Sequence, residues 1–175
     1  MIAVYILAGI VGLFLLLALI APKSYDVSRS IEINRSTSDV FDYLKYVKNQ
    51  DNWSPWKKKD PNMKQTFTGT DGQVGFVSRW EGNKHVGVGE QEIKSIDDVN
   101  KIIKTELRFL KPWKSVSDAY INADAAGDGK TKVVWGFSGK HPIPANIFML
   151  FMNMDKAVGK DFDEGLAELK GILES

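Results

Sequence analysis

Residues 147–173 read IFMLFMNMDKAVGKDFDEGLAELKGIL, and in this stretch Ile147, Leu150, Phe151, Met154, Val158, Phe162, Leu166, Leu169 and Leu173 recur every three or four positions. Lys156, Lys160, Asp163, Glu164 and Lys170 take the opposite side. A period near 3.6 with one apolar stripe is that of an amphipathic helix, so the spacing predicts a long C-terminal helix with one face to bury. His141-Pro142-Ile143-Pro144 precedes it. Proline continues neither a strand ladder nor a helix interior, so this tetrapeptide ends the preceding strand and sets the helix start.

Upstream of the helix the period changes to that of strands. In residues 25–34, Val27, Ile31 and Ile33 partly alternate with Asp26, Arg29 and Glu32, as in a half-buried strand. Ser36 followed by Asp39 resembles a helix cap, and Val40, Phe41, Leu44 and Val47 then fall at helical spacing. Further strand-like runs lie near 64–68, 74–81, 86–96, 101–110, 116–124 and 130–138. Turn-forming residues separate them: Gly69 to Gly72, Gly82-Asn83, Asp97-Asp98, Pro112 and Gly127 to Gly129. Short intervals of this kind predict an antiparallel meander. The expected fold is α+β, a helix-grip in which a curved antiparallel sheet wraps around the long C-terminal helix. A sheet curled about one helix leaves an apolar cavity between them, the usual setting of a small-molecule site.

The first 22 residues are a different material. Residues 2–21, IAVYILAGIVGLFLLLALIA, carry no charge and are apolar all round. About 20 helical residues rise about 30 Å, the hydrocarbon thickness of a bilayer. Residues 1–22 are therefore expected to form a transmembrane anchor and residues 23–175 the folded domain. The competing reading is a cleaved signal peptide, but a basic start is missing, and Leu19 and Pro22 fit a cleavage site after Ala21 poorly. Lys23, Arg29 and Arg35 follow the span, which places a single-pass protein in the cell membrane with its domain on the cytoplasmic side.

The 23 basic and 22 acidic side chains nearly balance, so no net field draws the domain to nucleic acid. With no cysteine, disulfides, thiolate metal sites and thiol catalysis are excluded. His85 and His141 stand apart from any second ligand at metal spacing, so neither a metal nor a cofactor is expected. No Gly-x-Ser-x-Gly occurs, and Gly87-Val88-Gly89 lacks the third glycine of a phosphate loop. Nothing in the sequence fixes an oligomeric state.

From Tyr25 onward the chain resembles the START-like superfamily that includes polyketide cyclases and the birch-pollen-allergen fold. The residues that carry the resemblance are Trp53-Ser54-Pro55-Trp56, Asp60-Pro61, Gly82-Asn83 with Val86-Gly87-Val88-Gly89, Phe109-Leu110-Lys111-Pro112, and Phe151 to Asp155 with Val158 to Phe162. They are similar to a bacterial polyketide-cyclase-like subgroup. The resemblance implies the helix-grip fold and a hydrophobic ligand such as a lipid, sterol, quinone or polyketide; it does not imply catalysis.

Phe76, Trp80, Phe109, Trp135 and Phe137 occupy strand positions that would face inward, and Phe148, Phe151 and Met152 lie on the early part of the helix. As a set they would line a ligand cavity; singly, each reads first as core filling. Trp53 and Trp56, followed by Lys57 to Lys59, would stand at the cavity mouth or form a lid over the core. Asp155 is the one carboxylate on the apolar stripe. It is expected to meet Arg79, Arg108 or a ligand, to carry a raised pKa, or to be a capped or salt-bridged structural residue. These features favour a binding module. A cyclase, dehydratase or hydrolase that uses Asp155 is the alternative, and an interaction protein with a filled core the second.

Overall fold

The computed structural model describes residues 1–151 and 153–175. An apolar helix, α1 (Ile2–Ile20), is followed by β1 (Ser24–Ile33), α2 (Thr37–Leu44), a 3-10 segment (Val47–Asn52) and α3 (Pro55–Lys59). Six more strands run as β2 (Lys64–Thr68), β3 (Val77–Glu81), β4 (Val88–Asp97), β5 (Ile102–Lys111), β6 (Ser115–Ala125) and β7 (Thr131–Lys140). A second 3-10 segment (Ala145–Leu150) leads to α4 (Met154–Glu174). All seven strands form one antiparallel sheet in the order β1-β7-β6-β5-β4-β3-β2. This is the helix-grip architecture that the sequence predicts.

Local chemistry accounts for the boundaries. Ser36 caps α2 by accepting a hydrogen bond from the Asp39 amide at 3.2 Å, as the Ser36–Asp39 spacing predicts. The strand expected from position 74 begins at Val77, because Gly75 takes a φ of +88°. The larger difference is at the C-terminus. α4 starts at Met154, where Asn153 accepts from the Lys156 amide at 3.0 Å, and not at Ile147. The turns before it are 3-10, whose three-residue repeat extends the apolar period without being α-helix.

One face of the sheet is buried. Val27, Ile33, Ile103, Ala119, Ile121, Ala123, Val133, Trp135 and Phe137 from the strands meet Phe162, Leu166 and Leu169 of α4, with Val40, Phe41 and Leu44 of α2 closing the far side. α4 runs parallel to β1: Arg29 bonds Asp155 near its start, and the Asn34 amide bonds Glu174 at its end. Ser24 pairs with Lys140, Ser117 with Gly139, Phe109 with Ser115, and Val88 with both Lys111 and Glu81. The β3–β4 and β5–β6 turns, the start of β1, the end of β7 and the start of α4 therefore gather at one end of the sheet, called here the turn end. β2, five residues long, is the opposite edge from β1.

Candidate functional site

The space directly under α4 is filled by interlocking rings. Trp135 and Phe162 stack at 4.3 Å between centroids, with Trp53 edge-on to Trp135 at 4.7 Å and Trp56 edge-on to it at 5.6 Å. Phe137 closes on Phe162 at 5.7 Å. Gly165 makes this density possible: a methyl group there would come within 2.8 Å of the Trp135 ring. Trp53, expected at a cavity mouth or as a lid over the core, is a buried core residue with its indole facing Trp135, while Trp56 is half-buried beside α4.

What α4 leaves uncovered is the concave face of β3 to β5. Trp80 and Phe109 flank Gly89 across the ladder and meet edge-on at 6.1 Å. A methyl group on Gly89 would press into the Trp80 ring at 2.5 Å, so the glycine lets the indole lie flat along the sheet. Both rings are half-buried, and the Trp80 Nε1 is shielded without a hydrogen-bond acceptor among the described residues. Neighbouring inward positions are polar. Gln91 Nε2 donates to Thr105 Oγ1 at 3.1 Å, and the Tyr25 hydroxyl and Ser117 Oγ lie 2.8 Å apart. Burial pushes the Tyr25 phenol above its ordinary pKa, so it stays protonated and available as a donor.

This face opens at the turn end in a concavity of about 200 Å³, lined by Phe109 and Ser115 of the sheet, Lys84 to Gly87 of the β3–β4 turn and Lys111 to Trp113 of the next. A second, larger groove of about 480 Å³ lies against β1, β6 and β7, lined by Asp26, Val116, Asp118 and Lys140 among others. Among the described residues no three His, Asp or Glu side chains converge as a metal site requires.

The remaining sequence candidates are scattered. Phe76 is buried in a satellite core with Val47 and Ile93. Phe148 and Phe151 stand exposed before α4, and Met152 lies outside the described residues. Asp155 meets neither Arg79 nor Arg108. Arg79 pairs with Glu81, and Arg108 is held by Glu90, Glu92 and Glu106 on the convex face. Its partner is Arg29, whose Nη1 donates at 2.8 Å, with Asp163 taking the Nε of the same guanidinium at 3.2 Å. That hydrogen bond holds the Asp155 carboxyl below the ordinary carboxylate range, the reverse of a raised pKa. Arg29, which the alternation in the sequence groups with the polar Asp26 and Glu32, shares the inward parity of Tyr25, Val27, Ile31 and Ile33, and that parity is the signal that could have found it. Gln91, Thr105 and Ser117 gave no such signal, since a polar residue in a strand is ordinary.

A curved sheet gripping a C-terminal helix, with a partly apolar concave face open at one end, defines a START-like helix-grip domain. The chain belongs to the polyketide cyclase/dehydrase and lipid transport family, which it matches over residues 24–174. As a superfamily these domains bind hydrophobic small molecules. Solved structures share the fold at low identity. A protein of Nitrosospira multiformis matches with a TM-score of 0.63 and 15% identity, covering 86% of this chain and 97% of its own. The major latex-like protein of Panax ginseng gives 0.63 and 11%, covering 88% and 100%. Norcoclaurine synthase of Thalictrum flavum gives 0.63 and 12%, covering 90% and 91%. No curated protein matches the chain.

Proposed function

We propose that this protein is a membrane-anchored binding domain that shelters a hydrophobic small molecule or lipid on the concave face of β3 to β5. In this reading residues 1–22 are the anchor and residues 23–175 the domain, held on the cytoplasmic side of the cell membrane. The observation that carries it is the pairing of Trp80 and Phe109 beyond the reach of α4, on a face that opens at the end from which α1 departs. Removing apolar ligand surface from water supplies about 25 cal/mol per Å². The unpartnered Trp80 N–H and the Tyr25 hydroxyl favour a ligand whose apolar body carries a hydrogen-bond acceptor, such as a carbonyl. A tether in the bilayer raises the local concentration of membrane-dissolved ligands at the site.

Native mass spectrometry of the full chain, released gently from membranes, tests the reading. A co-purified lipid or quinone-like molecule at one per chain is expected, and Trp80→Ala should lose it while remaining folded. A folded chain that emerges empty, and takes up no membrane lipid on reconstitution, would overturn it. The family description also favours a second reading, a cyclase- or dehydratase-like reaction on the same face. Asp155 does not serve it, being engaged with Arg29; the Tyr25 hydroxyl beside Ser117 is the polar group on the concave face better placed for it, and Tyr25→Phe is the variant to screen for lost turnover.

A further inference from the structure

We propose that the turn end of the domain is a membrane-seating surface, with Trp113, Ile143, Phe148, Leu150 and Phe151 entering the interfacial layer of the bilayer that holds α1. Only Ala21, Pro22 and Lys23 separate the end of α1 from the start of β1. Three intervening residues make four extended steps of about 3.3–3.6 Å, so the start of β1 cannot stand farther than about 14 Å from the end of the helix. The joint is also fixed from the other side. Asn146, fully buried, donates from Nδ2 to the carbonyls of Ala18 at 2.7 Å and Ala21 at 3.1 Å, which caps the C-terminus of α1 with a side chain of the domain.

Everything else at this end must then lie close to the lipid surface, and its composition suits that place. Phe148 is 70% exposed, Phe151 83% and Trp113 82%, with Ile143 and Leu150 also exposed. Large apolar side chains so open to water mark an interaction surface, and amphipathic rings such as indole favour the headgroup level. Lys84, Lys111, Lys114 and Lys140 lie on the same turns and strand end. Glu81 pairs with Arg79, and the nearby carboxylates without a Lys or Arg partner among the described residues, Asp26, Asp60 and Asp118, are fewer than the four lysines. The net charge facing the bilayer is therefore cationic and complements lipid phosphate. Seated in this way, the 200 Å³ concavity beside Trp113 opens toward lipid and not toward bulk water.

This inference rests on α1 standing in the bilayer, and the test separates the two. The chain has no cysteine, so single cysteines can be labelled with an environment-sensitive fluorophore in the full protein without background. In phosphatidylethanolamine–phosphatidylglycerol vesicles, Trp113→Cys, Phe148→Cys and Phe151→Cys labels should shift to the blue and lose emission to headgroup-proximal spin-labelled lipid. A Val99→Cys label on the exposed β4–β5 turn should do neither. A Leu13→Cys label reports the anchor by quenching at depth. If Leu13→Cys is quenched while the three turn-end labels remain as solvent-exposed as Val99→Cys, the seating surface is overturned and the anchor stands. If Leu13→Cys is not quenched, both fall. Turn-end labels shielded from water but not quenched by lipid would mean a protein partner, and overturn the proposal as well.

Discussion

Arg29 of β1 lies directly beneath Gly159 of α4, close enough that a methyl group on the glycine would overlap the guanidinium. The two carboxylates that Arg29 holds, Asp155 and Asp163, stand one helical turn to either side of that glycine. The helix is thus clasped to the sheet edge through a gap that only glycine leaves open. Alanine inside a helix is ordinarily favoured over glycine by about 1 kcal/mol. Gly159→Ala in an Arg29→Ala background should show that gain in chemical denaturation of the detergent-solubilised chain. In the native background it should show none, because the guanidinium must leave its place. Additive behaviour of the two substitutions would contradict the clasp.

Asp155 is held ionised by the same clasp, and the sign of its pH dependence follows. A carboxyl depressed in the folded state contributes stability above its unfolded pKa, about 3.9, and loses that contribution as pH falls through the folded value. Asp155→Asn should lower Tm at neutral pH, and the gap from the native chain should close in acid. A gap that stays constant from neutral to acid conditions would show that the charge is not what matters.

Asn146→Ala should loosen the joint without unfolding the domain. The lost hydrogen bonds to Ala18 and Ala21 are worth about 0.5–1.5 kcal/mol each. Limited trypsin treatment of the vesicle-bound protein should cut after Lys23 faster in the variant, while the Tm of the domain stays near native. Equal cutting rates would mean that the cap does not restrain the joint.

Phe162→Ala removes the ring that stacks on Trp135 and touches Trp56 and Phe137, and should cost about 3–5 kcal/mol in denaturant unfolding. Phe67→Ala, on the half-open stack with Phe76, should cost clearly less, since 41% of Phe67 already faces water. Similar losses at the two positions would mean that the aromatic cluster under α4 is not the centre of the core.

The fold was legible in the sequence because its signals are local. The step from strand period to helix period, the Ser36 cap and the glycine-rich turns each depend on a few neighbouring residues. What failed was where local pattern is ambiguous or where distance in sequence is large. Ile147 and Leu150 continue the helical stripe, yet the Asn153 cap that starts α4 looks like any other asparagine until its bond to the Lys156 amide is seen. Trp53 and Trp135 are 82 positions apart by number and meet only in the fold, so nothing local decided between a cavity mouth and a lid over the core for Trp53. The Arg29–Asp155 pair spans 126 positions. The concave polar group around Gln91, Thr105 and Ser117 joins three strands, and no single strand reveals it.

The brevity of β2 carries a consequence for life at high density. An anchored domain is confined to two dimensions, where copies collide edge to edge, and an open sheet offers its outermost strand as a template for unwanted pairing. β2 gives little to pair with: five residues, begun by Lys64, with the ring of its one aromatic residue, Phe67, capped by the Lys48 ammonium at 4.6 Å. Such an edge discourages neighbours from zipping together along β2, which, with the proposed anchor in the bilayer, would disfavour pairing of crowded domains at that side of the sheet.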